Sequence, residues 1–187
     1  MMDKKEARNL ASENRKKHGA FDEVSHIICE KLKSLECIRC ADLVFAYMAT
    51  ENEININNLI RYCFENDKKV LIPKITDKSE SIMEFAYISS IAELAEGYMH
   101  ILEPKNNDFI ELKDVQNAVM IMPGLAFDKK GGRAGYGKGF YDRYISRGFD
   151  GTKIAVTIDE NIFEHIETDE KDIKYDILLS DKEVYYL

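Results

Sequence analysis

Residues 118–145 read Ala118-Val119-Met120-Ile121-Met122-Pro123-Gly124-Leu125-Ala126-Phe127-Asp128-Lys129-Lys130-Gly131-Gly132-Arg133-Ala134-Gly135-Tyr136-Gly137-Lys138-Gly139-Phe140-Tyr141-Asp142-Arg143-Tyr144-Ile145. The first five are uniformly apolar and stop at a proline, the pattern of a strand buried on both faces. Six of the ten glycines of the chain then fall between positions 124 and 139. Residues 140–145 have helical character. A strand, a glycine-rich loop and a helix in that order present backbone N–H groups and a helix N-terminus to an anion. Glycine permits positive φ and close backbone approach, while Arg133 and Lys138 supply charge-assisted donors for phosphate oxygens.

The spacing approaches that of a P-loop, with Gly132, four residues, Gly137 and Lys138. It departs at Gly139, where a Ser or Thr would hold Mg²⁺. Nor does Gly135-x-Gly137-x-Gly139 match the dinucleotide pattern G-x-G-x-x-G. A surface loop with incidental glycines would not need two interleaved cations between a buried strand and a helix.

Outward from this segment the elements alternate, which points to an α/β fold. Residues 3–17 lack Gly and Pro and are polar, so they predict an exposed helix. Asp22 is positioned to cap a second helix containing Val24, Ile27, Ile28 and Leu32. The apolar run 43–48 predicts a buried strand, 57–66 a helix, and 69–73 a strand ending at Pro73. Residues 83–87 alternate weakly, and 91–95 read as a short helix. Residues 153–157 and 177–180 predict two more strands, with 184–186 an edge. There is no internal repeat or linker, so the expectation is one domain over 1–187: a three-layer sandwich around a mainly parallel sheet flanked by helices.

Composition narrows the function. The 34 carboxylates outnumber 26 Lys and Arg, for a net charge of −8, which argues against a nucleic-acid binder. No apolar run reaches the roughly 20 residues of a membrane span, and the N-terminus has no apolar signal region. A cytoplasmic protein is expected. Cys37 and Cys40 form a single C-x-x-C with no second pair of ligands, so a zinc site is not expected. The histidines (His18, His26, His100, His165) are scattered.

The segments Pro123 to Asp128 and Gly132 to Arg143 closely resemble the signature of the 5-formyltetrahydrofolate cyclo-ligases, also called 5,10-methenyltetrahydrofolate synthetases. Other pieces agree in order. Lys4-Lys5-Glu6-Ala7-Arg8 is similar to the family's N-terminal K-x-x-L-R box, with Ala7 in place of Leu. Met48 to Ile54 resembles its strand-end segment with a substrate glutamate. Val70 to Lys74, Met83 to Phe85, Glu103-Pro104 and Asp172-x-x-x-Asp176 follow. Departures are Ala134 for a usual leucine and Phe140 for a usual tyrosine, the latter removing a hydroxyl.

The resemblance implies ATP-dependent closure of 5-formyltetrahydrofolate, with or without a polyglutamate tail, to 5,10-methenyltetrahydrofolate, with Mg²⁺ as cofactor and ADP and phosphate released. It implies ATP contacts from Lys4, Lys5, Glu6, Ala7 and Arg8 and from Arg133, Ala134, Gly135, Tyr136, Gly137, Lys138, Gly139, Phe140 and Tyr141. Folate would meet Met48, Glu53, Tyr136, Gly137, Lys138, Gly139 and Phe140, with Glu53 accepting hydrogen bonds from the pterin edge and Glu51 as an alternative. Arg133, Lys138 and Tyr136 are the catalytic candidates, Asp142 and Asp176 the candidate Mg²⁺ partners. The protein would act as a monomer or weak homodimer. Two other readings are a sugar-phosphate isomerase or acyl-CoA transferase of related architecture, and a non-catalytic nucleotide- or folate-binding regulator.

Overall fold

A computed structural model describes residues 1–187. In chain order the helices and strands are α1 Lys4–His18, α2 Asp22–Ser34, α3 Glu36–Cys40, β1 Leu43–Phe45, α4 Asn57–Glu65, β2 Lys69–Asp77, β3 Ile82–Ile88, β4 Leu94–Glu96, β5 Leu102–Pro104, β6 Ala118–Met122, β7 Ala126–Asp128, β8 Arg133–Ala134, α5 Phe140–Ser146, β9 Thr152–Thr157, β10 Ile162–Phe163, β11 Ile177–Ser180 and β12 Val184–Tyr186. Seven strands form the central sheet in the order β12-β11-β9-β6-β1-β2-β3. The five inner strands are parallel, and β12 and β3 pair antiparallel at the edges. The expected α/β sandwich around a mainly parallel sheet is therefore what forms.

Alternation along each strand divides the core in two, because successive side chains point to opposite faces. Val44, Val70, Val119, Ile121, Ile154 and Leu179 pack with Ile28 and Leu32 of α2 and Leu59 and Ile60 of α4. Phe45, Leu71, Met120, Met122 and Leu178 pack on the other face with Tyr144 and Ile145 of α5 and with Phe85, Phe127 and Tyr175. The aromatic rings there meet edge to face, with Phe85 5.0 Å from Phe45 and 4.8 Å from Tyr144 between ring centres, the arrangement the ring quadrupole favours.

Six expectations need correction. The strand expected over 43–48 ends at Phe45, and the one expected to end at Pro73 runs through it to Asp77, with Pro73 paired to Phe85 of the edge strand β3. Helix α1 is not simply exposed: Ala7, Ala11 and Arg15, spaced by four residues, are buried, the two alanines against Leu125, Ala126 and Ala134. The mostly polar composition hides this stripe, because two of its members are small alanines and the third is charged. Asp22 is the first residue of α2, not its cap; Phe21 precedes it and no side chain caps the helix. The glycine-rich segment is not all loop, since β7 and β8 pair antiparallel within it and β10 joins them as a small second sheet. Residues 91–95 form one three-residue 3₁₀ turn, 91–93, and then begin β4. No helix is long and apolar enough to cross a membrane.

Candidate active site

The parallel strands β1 and β6 are neighbours, and the chain leaves them toward opposite sides of the sheet: β1 continues to β2, β6 to β9. Such a switch of direction opens a crevice beyond the carboxyl ends of the strands. A cavity of about 350 Å³ lies there. Tyr47, Met48, Thr50 and Glu53 reach it from the end of β1, Pro73 and Ile75 from β2, and Pro123 from β6. The remaining walls are Lys4 and Arg8 of α1, the loop 135–139 with α5, and Tyr98 to Glu103 of the β4–β5 hairpin.

One wall is cationic. Arg133, with only 8% of its side chain exposed, donates from Nη2 to both carboxylate oxygens of Asp142 at 2.9 Å and from Nη1 to Pro123 O at 3.2 Å. Its Nε is buried without a partner. Arg8 Nε donates to Gly135 O at 2.6 Å, and Lys4 pairs with Asp172. Lys138 is exposed at the cavity mouth and takes part in no ion pair. Gly137 and Gly139 have φ of 86° and 67°, a conformation an L side chain adopts only with strain. No side chain caps α5 after Gly139, so its first N–H groups remain available to an acceptor.

The end of β1 brings a buried carboxylate to the same cavity. Glu53 is 6% exposed. Its Oε2 accepts from the N–H and the hydroxyl of Thr50, both at 2.8 Å, and its Oε1 accepts from the Tyr136 hydroxyl at 2.7 Å. Burial, and then the neighbouring Glu53 carboxylate, push the Tyr136 phenol up to about 12, with Arg15 opposing. The ring itself stays open to the cavity while the hydroxyl is tied down. Tyr141 and Tyr47 are also raised, first by burial and then by Glu53. Both phenols are therefore neutral donors at physiological pH.

The cavity brings together most of the residues singled out in the sequence. Lys4, Arg8, Met48, Glu53, Arg133, Gly135, Tyr136, Gly137, Lys138, Gly139, Phe140, Tyr141 and Asp142 line it. Four expected ATP contacts do not. Lys5 and Glu6 are exposed on α1, and Ala7 and Ala134 are fully buried beneath the loop. Glu51 is exposed outside the lining, whereas Glu53 points in.

The two proposed Mg²⁺ partners are not brought together. Asp142 is held by Arg133 and by the Ile173 N–H at 3.2 Å. Asp176 lies outside the cavity at the start of β11, where its carboxylate receives the Lys153 N–H at 2.7 Å and pairs with Lys153 Nζ at 2.8 Å. No group of three or more His, Cys, Asp or Glu side chains is placed to hold a metal ion. Asp142 and Asp172 are thus the carboxylates beside the cationic wall, both already paired. The chain builds no cage for Mg²⁺, an ion that keeps several waters and leans on substrate phosphates.

Sequence reasoning missed Asp172 as a cavity residue and Arg15 altogether. Arg15 is 5% exposed, donates to Gly124 O, and donates from Nη1 to the Tyr136 hydroxyl at 3.3 Å. The four-residue spacing from Ala7 and Ala11 was the signal that marks it as inward-facing.

Comparison with known proteins bears on this arrangement. Residues 3–181 match the 5-formyltetrahydrofolate cyclo-ligase family. A probable 5-formyltetrahydrofolate cyclo-ligase of Schizosaccharomyces pombe is 29% identical over 179 residues, covering 88% of this chain and 87% of the relative. The mouse 5-formyltetrahydrofolate cyclo-ligase is 30% identical over 71% of this chain and 70% of its own. Among solved structures, the 5,10-methenyltetrahydrofolate synthetase of Aquifex aeolicus superposes with a TM-score of 0.83 at 28% identity, covering 98% of this chain and 92% of that one.

Proposed function

This chain belongs to the 5-formyltetrahydrofolate cyclo-ligase family, and on that premise we propose how its cavity divides the reaction between two walls. The enzyme converts 5-formyltetrahydrofolate and ATP to 5,10-methenyltetrahydrofolate, ADP and phosphate. A formamide carbon is a poor electrophile, so its oxygen first takes the γ-phosphoryl group of ATP. Attack by the N10 amine on that carbon then closes the ring, and loss of the phosphate and the N10 proton leaves the methenyl product. Such chemistry asks the protein mainly for alignment and for neutralisation of phosphoryl charge.

The cationic wall is the ATP side. Lys4, Arg8, Arg133 and Lys138, with the N–H groups around Gly137 and Gly139, are the donors for its phosphates. Lys138 is the group we assign to the migrating phosphoryl, because it alone among these four has no protein partner. Arg133 and Lys4 meet the phosphates by exchanging Asp142 and Asp172 for them. Any Mg²⁺ travels with the nucleotide, and no protein step is routed through it.

The Glu53 wall is the folate side. The pterin edge offers N–H donors of guanidine type, for which a fixed carboxylate is the complementary acceptor. Met48 and Phe140 give apolar contact, and the Tyr98 ring, 6.3 Å from that of Phe140, extends the surface. Phe140 offers no hydroxyl, and the phenols beside it on the cavity are those of Tyr136 and Tyr141. The whole chain, 1–187, acts as one cyclo-ligase domain in this reading.

The observation that carries the assignment is that an unpaired cation, Lys138, and a buried, hydrogen-bonded carboxylate, Glu53, line one cavity at the switch point of the sheet. The test is the near-ultraviolet absorbance of the methenyl product in purified protein supplied with 5-formyltetrahydrofolate, Mg²⁺ and ATP. The band should grow only with ATP and in step with ADP release. Growth without ATP, or ADP release without the band, would contradict the reading.

A further inference from the structure

Helix α1 touches the glycine-rich segment at two places with different consequences. Arg8, near its start, reaches Gly135 O on the cationic side. Arg15, two turns later, is enclosed where that segment leaves the core and faces the folate side. A guanidinium has only donors. The Tyr136 oxygen must therefore accept from Arg15 Nη1 at 3.3 Å, which leaves the phenolic proton to go to Glu53 Oε1 at 2.7 Å. With the two bonds from Thr50, three of the roughly four lone-pair sites of the Glu53 carboxylate are then taken. The direction of the last donor decides where the free site points.

We infer that Arg15 is a positioning residue for folate binding: through the Tyr136 hydroxyl it sets the direction of the hydrogen bond to Glu53, and through Gly124 O it holds the segment that carries Tyr136. This rests on the reading that Glu53 receives the pterin edge. Arg15 itself is too deeply enclosed to touch either substrate; it is absent from the cavity lining. Arg15 also opposes the rise in the phenol's pKa that burial and Glu53 cause.

The consequence is selective. Replacing the fork by a single ammonium in Arg15→Lys keeps the charge but cannot reach Gly124 O and Tyr136 together. The dissociation constant for 5-formyltetrahydrofolate should rise about tenfold, the size of one lost hydrogen bond to a charged network, while that for ATP changes less than about twofold. Tyr136→Phe should raise the folate constant similarly. The double variant should be no worse than the weaker-binding single, because both act through one bond.

Titration calorimetry with the full chain, each ligand separately, reads all three variants, with Glu53→Gln beside them. If Glu53→Gln weakens folate binding but Arg15→Lys leaves it unchanged, or weakens ATP binding equally, the inference is overturned while the folate reading stands. If Glu53→Gln leaves folate binding unchanged, the reading and the inference fall together. Should Arg15→Lys not fold, Tyr136→Phe decides: a folate-selective loss supports the relay, and equal loss for both ligands overturns it.

Discussion

Between Ala126 and Ala134 the glycine-rich segment is a hairpin packed into the molecule, whereas between Gly135 and Gly139 it is an open run along the cavity. The first half is tied from every side. Asp128, 1% exposed, accepts from the N–H groups of Lys130 and Gly132 at 2.8 Å and of Ile166 at 2.7 Å. Tyr175 donates to the carbonyls of Asp128 and Gly132. A Cβ on Gly132 would stand 2.5 Å from the Asp128 carboxylate, so that glycine makes room for the tie. In the second half Arg8 holds Gly135 O and Arg143 holds Lys138 O, and the Tyr136 hydroxyl is tied to Glu53 and Arg15, while the Lys138 side chain is left without a partner. Gly137 and Gly139 serve a positive φ instead: a Cβ on Gly137 would meet no atom nearer than 3.7 Å. The same residue type does two jobs a few positions apart. Rigidity is invested where the segment leaves the core, and unpaired donors are kept where a ligand arrives.

That division predicts opposite phenotypes for the two halves. In the open run, Lys138→Ala should lower kcat about 100- to 1000-fold, as loss of a donor aimed at developing charge does. Its melting temperature should stay at that of the wild type, because the ammonium has no protein partner; a large shift would break the comparison. In the hairpin, Asp128→Asn should destabilise the fold by about 1–3 kcal/mol, since an amide N–H₂ then faces backbone donors, as read by denaturant titration.

The pH dependence sharpens this second prediction. Burial alone would raise the Asp128 carboxyl, but the N–H groups of Ile166, Gly132 and Lys130 and the His165 ring outweigh it and hold it below its ordinary 3.8. A depressed folded-state value stabilises the fold above the unfolded value and stops doing so as pH falls through the folded one. The stability gap between wild type and Asp128→Asn should therefore be full at neutral pH and shrink on acidification below about 4. Smaller effects separate the glycines. Gly132→Ala should cost about 1–3 kcal/mol through steric conflict with Asp128. Gly137→Ala should cost about 1 kcal/mol from φ alone, and chemical denaturation ranks the two.

The sequence made β6, β9, β11 and β12 visible within a residue of their observed bounds, because each is a short apolar run between polar breaks. It also showed the order of strand, glycine segment and α5. It did not show β7 and β8, whose residues read as loop because their hairpin is fixed by a distant partner, Ile166, and by Asp128 folding back on its own chain. Arg15 and Asp172 were hidden for the same reason: each becomes part of the site only when α1 crosses the second sheet. Asp176 failed in the other direction. It stands four residues after Asp172, immediately before β11, where the chain has already turned away from the cavity and pairs it with Lys153.

On this reading the exposed half of the segment supplies the charge for phosphoryl transfer. A single-turnover measurement of methenyl product, with enzyme in excess over 5-formyltetrahydrofolate and saturating ATP, tests it most directly in wild type and Lys138→Ala. Folate should bind normally, and the product band should grow about 100-fold or more slowly in the variant. A variant that forms product at the wild-type rate would contradict it and return the chemistry to Arg133.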